Sequence, residues 1–130
     1  TTRELVKQFV TTDLATASQK WREWEELEEK RDEKKEQNPE KEKEYREYRR
    51  DIAIKCLQGS LEFINRTLPI TGKDFWEDPK NRELLIMLKN NLAYSLATRG
   101  KIQDAQDARK YAKEVEQETR SQSVPNYHYL

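Results

Sequence analysis

The sequence predicts an all-α protein built from two antiparallel helical hairpins, and three features carry that expectation. Charged residues make up 38% of the chain and glycines number only 3, a composition of helix-forming Glu, Lys, Arg, Leu and Ala rather than of sheets. Apolar residues recur at short, helix-like steps along most of the chain, the spacing of one helical face. Breakers fall between the periodic stretches, at Asn38-Pro39, Pro69 to Gly72, Asp78-Pro79 and Gly100. A length of 130 residues is enough for one domain, expected here over residues 1–120.

The first helix is expected to bury Leu5, Phe9, Leu14, Ala17, Trp21, Trp24 and Leu27 along one stripe. That stripe stops at residue 28, and no large apolar residue follows until Tyr45. Inside this polar stretch Asn38 can cap a new helix and Pro39 can occupy its first turn. From Tyr45 the stripe resumes through Tyr48, Ile52, Cys56, Leu57, Leu61, Ile64 and Leu68. Residues 1–67 therefore read as a long helical hairpin with a polar tip near 28–44. Two readings of the tip stand: a surface that docks a partner, or a solvated helical run held by ion pairs of roughly 0.2–0.5 kcal/mol each.

Residues 68–79 read as a structured linker, with Phe75 and Trp76 inserting between the two hairpins as packing. Thr71-Gly72-Lys73 lacks the preceding strand and upstream glycine that a phosphate loop needs. The second hairpin is expected over 80–120. Its first helix runs from about Pro79 to Arg99 with Leu84, Leu85, Leu88, Leu92 and Leu96 buried, Gly100 stops it, and its second helix covers about 102–119. Residues 121–130 are expected to form a flexible tail.

Within that second hairpin the run Asn90-Asn91-Leu92-Ala93-Tyr94-Ser95-Leu96-Ala97-Thr98-Arg99-Gly100, followed by Asp104, Ala105, Ala108, Ala112 and Val115, resembles a tetratricopeptide repeat, in particular a bacterial variety. The resemblance covers residues 84–117. It implies right-handed, α-solenoid-like packing and a concave groove lined by the first helix of each repeat. It also implies that Asn91 stands where an amide hydrogen-bonds a bound peptide, with Asn90, Tyr94, Met87 and Thr98 as further partner-binding candidates. An amide offers both a donor and an acceptor to an extended backbone. The other reading makes Asn91 a helix-packing amide and Met87 a core filler. Such repeats need about three copies to be stable alone; with one copy here, the chain is either a terminal part of a larger array or a hybrid in which other helices cap a single repeat.

The function expected is recognition, by a non-catalytic scaffold that binds a protein or peptide. The alternative is a structural element whose long hairpin, through Trp21, Trp24, Tyr45 and Tyr48, mediates self-association into a homo-oligomer. Twenty-five acidic residues balance 25 basic ones, so no overall field draws in nucleic acid or an anionic membrane. There is no run of about 18 apolar residues for a membrane span and no apolar signal core, which leans towards the cytoplasm without fixing the compartment. The missing initiator Met reads as an excised or processed chain. Cys56, the one cysteine, sits among Ile52, Ile54 and Leu57 as a small hydrophobe rather than a reactive thiol. The single histidine, His128, is too little for a His-based catalytic set or a His-rich metal site, and no cofactor is expected. Glu25, Glu26, Glu28 and Glu29 are abundant carboxylates, but an exposed helix lacks the desolvation that makes a catalytic acid or base. A pocket enclosing two of them would reopen that question.

Overall fold

The computed structural model describes residues 1–33 and 37–121. Among these the protein is all-helical, with five helices and no strand: α1 (Thr2–Glu33), α2 (Pro39–Thr71), α3 (Lys73–Glu77), α4 (Pro79–Arg99) and α5 (Ile102–Ser121). The centre of the polar tip, and the tail expected to be flexible apart from Ser121, lie outside the described residues. No described helix is long and apolar enough to cross a membrane.

Local chemistry accounts for most of the boundaries. The Asn38 side chain accepts the Lys41 N–H at 3.4 Å and Pro39 opens α2, since proline lacks a donor where the first turn has no use for one. Asp78 does the same for α4, accepting the Lys80 N–H at 2.9 Å ahead of Pro79. Gly100 ends α4 in the left-handed conformation (φ 72°, ψ 23°) and donates its N–H to the Leu96 carbonyl at 2.9 Å. The segment read as a linker is more helical than expected. α2 runs through Pro69 to Thr71, and α3 carries Phe75 and Trp76. Pro69 is tolerated because it sits in the last turn, where it costs a single backbone bond. Arg3 then ties that end down, donating to the Thr71 carbonyl from Nε at 3.2 Å and from Nη2 at 3.0 Å.

α1 and α2 run antiparallel, as the ties along them show. Arg3 reaches Thr71, the Ser60 hydroxyl donates to the Asp13 carbonyl at 3.2 Å, and Glu23 pairs with Arg49 nearer the tip. α4 packs against both α1 and α2, α3 bridges α2 and α4, and the α5 backbone comes close to α4 alone. α5 also runs antiparallel to α4: Arg99 pairs with Asp104 at the turn, and Lys89 pairs with Glu118 at 2.8 Å further along. The core comprises Val10, Leu14 and Ala17 of α1, Ile54, Leu57, Leu61 and Ile64 of α2, Leu88, Leu92 and Leu96 of α4, and Ala108 of α5. Phe75 and Trp76 pack against it from α3, edge to face with centroids 4.7 Å apart.

Three apolar assignments from the sequence change. On α1 the buried face carries Val10, Leu14, Ala17 and Trp24, while Leu5 and Phe9 are exposed. On α2, Tyr45, Tyr48 and Leu68 are exposed, and Ala53, Ile54, Leu57, Ser60, Leu61 and Ile64 are buried. The cause is that α2 has neighbours on more than one side, so it buries a wide arc of adjacent positions such as 53/54 and 60/61 instead of one narrow stripe. On α4, Ile86 is fully buried, whereas Leu84 and Leu85 are only partly covered.

Candidate partner-binding groove

The end of α1 nearest the tip and the first half of α5 stand on either side of α4 and do not pack on each other. Between them lies an open groove of about 900 Å³. Its floor is Asn90, Asn91, Ala93, Tyr94 and Ala97 of α4, one wall is Trp21, Trp24, Glu25, Glu28, Glu29 and Arg31 of α1, and the other is Ala108, Arg109 and Ala112 of α5. Alanines at 93, 97, 108 and 112 keep floor and far wall low, which is why space remains between helices that share one core.

The groove gathers residues that belonged to two separate expectations. Asn90, Asn91 and Tyr94 line it, and so do Trp21 and Trp24. The Trp24 and Tyr94 rings meet at a tilt of 44° with centroids 6.2 Å apart. Trp24 is only 2% exposed, whereas Tyr94 is 60% exposed. Met87, at 43% exposure, and Thr98, whose hydroxyl donates to the Tyr94 carbonyl at 2.9 Å, lie outside the lining. Tyr45 and Tyr48 also lie outside it, exposed on α2, whereas Trp24 is buried.

A short relay fixes the groove's aromatic edge. The Trp21 indole N–H donates to the Ser95 hydroxyl at 3.2 Å, and that hydroxyl donates to the Asn91 carbonyl at 2.7 Å. Ser95 is fully buried, and nothing in its local sequence marked it. Only the approach of α1 to α4 reveals its use. The side-chain amides of Asn90 and Asn91 have no hydrogen-bond partner among the described residues. The Trp24 indole N–H is buried and likewise has no acceptor there.

Charge is unevenly spread over the two walls. Glu25, Glu28 and Glu29 share one face of α1, at spacings that make neighbours on a helix. Glu28 pairs with Arg31 at 3.6 Å and with Arg46 at 3.8 Å. Glu25 and Glu29 make no ion pair among the described residues. Burial, and then the neighbouring Glu29 and Glu26 carboxylates, push the Glu25 carboxyl above its ordinary range. Arg109 sits on the opposite wall, its Nε donating to the Ala105 carbonyl of its own helix at 3.3 Å.

The turn between α4 and α5 holds the far wall in place. Asp104 accepts two bonds from the Arg99 guanidinium, both at 2.7 Å, and one from the Lys101 backbone N–H at 3.1 Å. The last is the reach-back of a third-position carboxylate that closes a helix start. The Arg99 guanidinium, and then the Lys101 N–H against the cost of burial, hold the Asp104 carboxyl below the usual carboxylate range. No protein-family model matches the chain, and neither a curated protein nor a solved structure matches it.

Proposed function

We propose that this chain is a non-catalytic helical module, related in design to tetratricopeptide repeats, that binds a protein or peptide segment in the α1–α4–α5 groove and serves as an interaction scaffold within a larger protein or complex. The observation that carries the reading is the convergence of two amides unpartnered among the described residues, Asn90 and Asn91, with the aromatic edge of Trp21, Trp24 and Tyr94 in one open groove. Apolar surface supplies affinity there, and amides without internal partners supply hydrogen bonds to a backbone. The solenoid-like packing of the two hairpins belongs to the same proposal.

Three carboxylates in the groove also raise the question of catalysis. Glu25, Glu28 and Glu29 occupy a single wall, and the residue facing them from α5 is Arg109. In glycoside hydrolysis the two carboxyls flank the scissile bond, and in an aspartic dyad they share one proton at hydrogen-bond distance; neither pairing is made by Glu25, Glu28 and Glu29 among the described residues. Carboxylates stacked along one helix fit the recognition of a partner better.

The test is selection of random twelve-residue peptides on the immobilised chain, followed by affinities measured by fluorescence anisotropy. Asn91→Ala should weaken the selected peptides about tenfold with helicity intact. Ala97→Leu, at an exposed lining position, should block them with stability within about 0.5 kcal/mol of wild type. Unchanged affinity in both variants would remove the groove from the site.

A second reading has its own observation: Tyr45 and Tyr48 on α2, and Leu5 and Phe9 on α1, leave large apolar side chains on the long helices uncovered. It makes the chain a self-associating structural element. A solution dimer lost in Tyr48→Glu would favour it.

A further inference from the structure

Resting on the groove-binding reading, we propose that the partner is a basic protein segment, one that sets a Lys or Arg against Glu25 and Glu29 while an adjoining apolar side chain lies over Trp24 and Tyr94. The α1 wall offers two carboxylates one helical turn apart that have no cation among the described residues. The third, Glu28, is already engaged by Arg31 and Arg46. Bringing a cation beside Glu25 and Glu29 relieves a repulsion that the free protein carries, since Glu29 and Glu26 crowd the half-buried Glu25. An ammonium or guanidinium seated between two carboxylates gains charge-assisted hydrogen bonds from both.

The acidic wall has an independent companion. On the floor of the same groove the side-chain amides of Asn90 and Asn91 have no hydrogen-bond partner among the described residues. A side-chain amide open to the groove can donate to a carbonyl and accept from an N–H. A peptide backbone brings a carbonyl at every residue, which a free amine or a metal ion does not. The α1 wall also carries Arg31, paired with Glu28 at 3.6 Å, so carboxylates outnumber cations there, while Arg109 on α5 gives the opposite wall the opposite sign; the segment's cation is directed to the α1 side and its register in the groove is set by charge.

Peptides selected on the wild-type chain are the probe. They should be enriched in Lys or Arg beside an aliphatic or aromatic residue, and should bind the Glu25→Gln, Glu29→Gln double variant about tenfold more weakly. Raising the salt concentration should weaken wild-type binding more than binding to that variant. Glu62→Gln, on α2 outside the groove, is the control and should bind as wild type. Selected peptides with no basic residue, or with equal affinity for the double variant, would overturn the cation assignment; if Asn91→Ala still weakened them, the groove-binding reading would survive it. Selection that yields no peptide at all would count against both.

Discussion

Replacing Asp104 with Asn removes one charge from the turn between α4 and α5 and keeps its shape, so its effect can be worked from the contacts. The wild-type carboxylate accepts two hydrogen bonds from Arg99 and one from the Lys101 N–H, with only 4% of the residue exposed. Asn still offers an acceptor to Lys101, but it no longer matches the guanidinium fork, and Arg99 is left with Asp51 at 3.8 Å. A charged hydrogen bond contributes roughly 1.5–3 kcal/mol and a helix-start cap roughly 0.5–2 kcal/mol. Because the pair lies at a surface turn and one acceptor survives, the expected loss is about 1–3 kcal/mol. The sign of the pH dependence follows from Asp104 being held below the usual carboxylate range. Its contribution is complete above the unfolded-state value, about 3.9, and is lost as pH falls through that value towards the lower folded one. Urea unfolding followed by far-UV circular dichroism should therefore show wild type more stable than the variant near neutral pH, with the gap shrinking below about pH 4. The difference between the two proteins isolates Asp104 from the other carboxylates that titrate in the same window. Equal midpoints at neutral pH, or a gap that persists undiminished in acid, would refute the reasoning.

Two further substitutions probe the supports of the groove and of the α2 terminus. Ser95→Ala should cost about 0.5–1.5 kcal/mol and change tryptophan fluorescence, because the Trp21 indole loses its acceptor; an unaltered spectrum would break the relay. Gly72→Ala should lower the melting temperature by an amount equivalent to about 1–3 kcal/mol, since φ 81° and ψ 165° suit glycine alone and a Cβ would stand 2.7 Å from Asp74 Oδ1 and 2.9 Å from Arg3 Nη2. A melting temperature equal to wild type would mean that the α2 end rearranges freely.

How much of this was legible in the sequence depends on how local the chemistry is. Asn38-Pro39, Asp78-Pro79 and Gly100 act within one turn of their own helix, and all three mark boundaries where the sequence put them. Pro69 misled because its usual role as a breaker gives way in a final turn anchored by Arg3, which lies 68 positions from the Thr71 carbonyl it holds. Phe9 and Tyr48 misled for a related reason: a stripe read with steps of three to five admits more than one face, and the neighbours in space choose among them. The residues of the groove were visible one at a time. Asn91 and Tyr94 stood out through a repeat-like pattern, and Trp21 and Trp24 through their size, but their meeting depends on how α1 crosses α4. Ser95 had no separate signal, and Glu25, Glu28 and Glu29 stood out only as carboxylates on an exposed helix, not as a wall. Serine in a helix and glutamate on a charged face are each ordinary until a second helix arrives.

The attachment of α5 has a consequence for exchange and timing. Its backbone packs on one helix only, whereas α1 and α2 pack along each other and both meet α4. Side chains such as Ala108 and Tyr111 reach the core, yet most of the α5 surface faces water. Regions with few neighbours open at lower free energy than the rest of a domain. Amide protons of α5 should therefore exchange with deuterium ahead of those in the facing halves of α1 and α2, as one cooperative unit ending near Gly100. A segment lying across the gap would bridge this more loosely held helix to one of the most firmly held, and slower exchange along α5 would record its arrival even where it touches only Arg109 and Ala112.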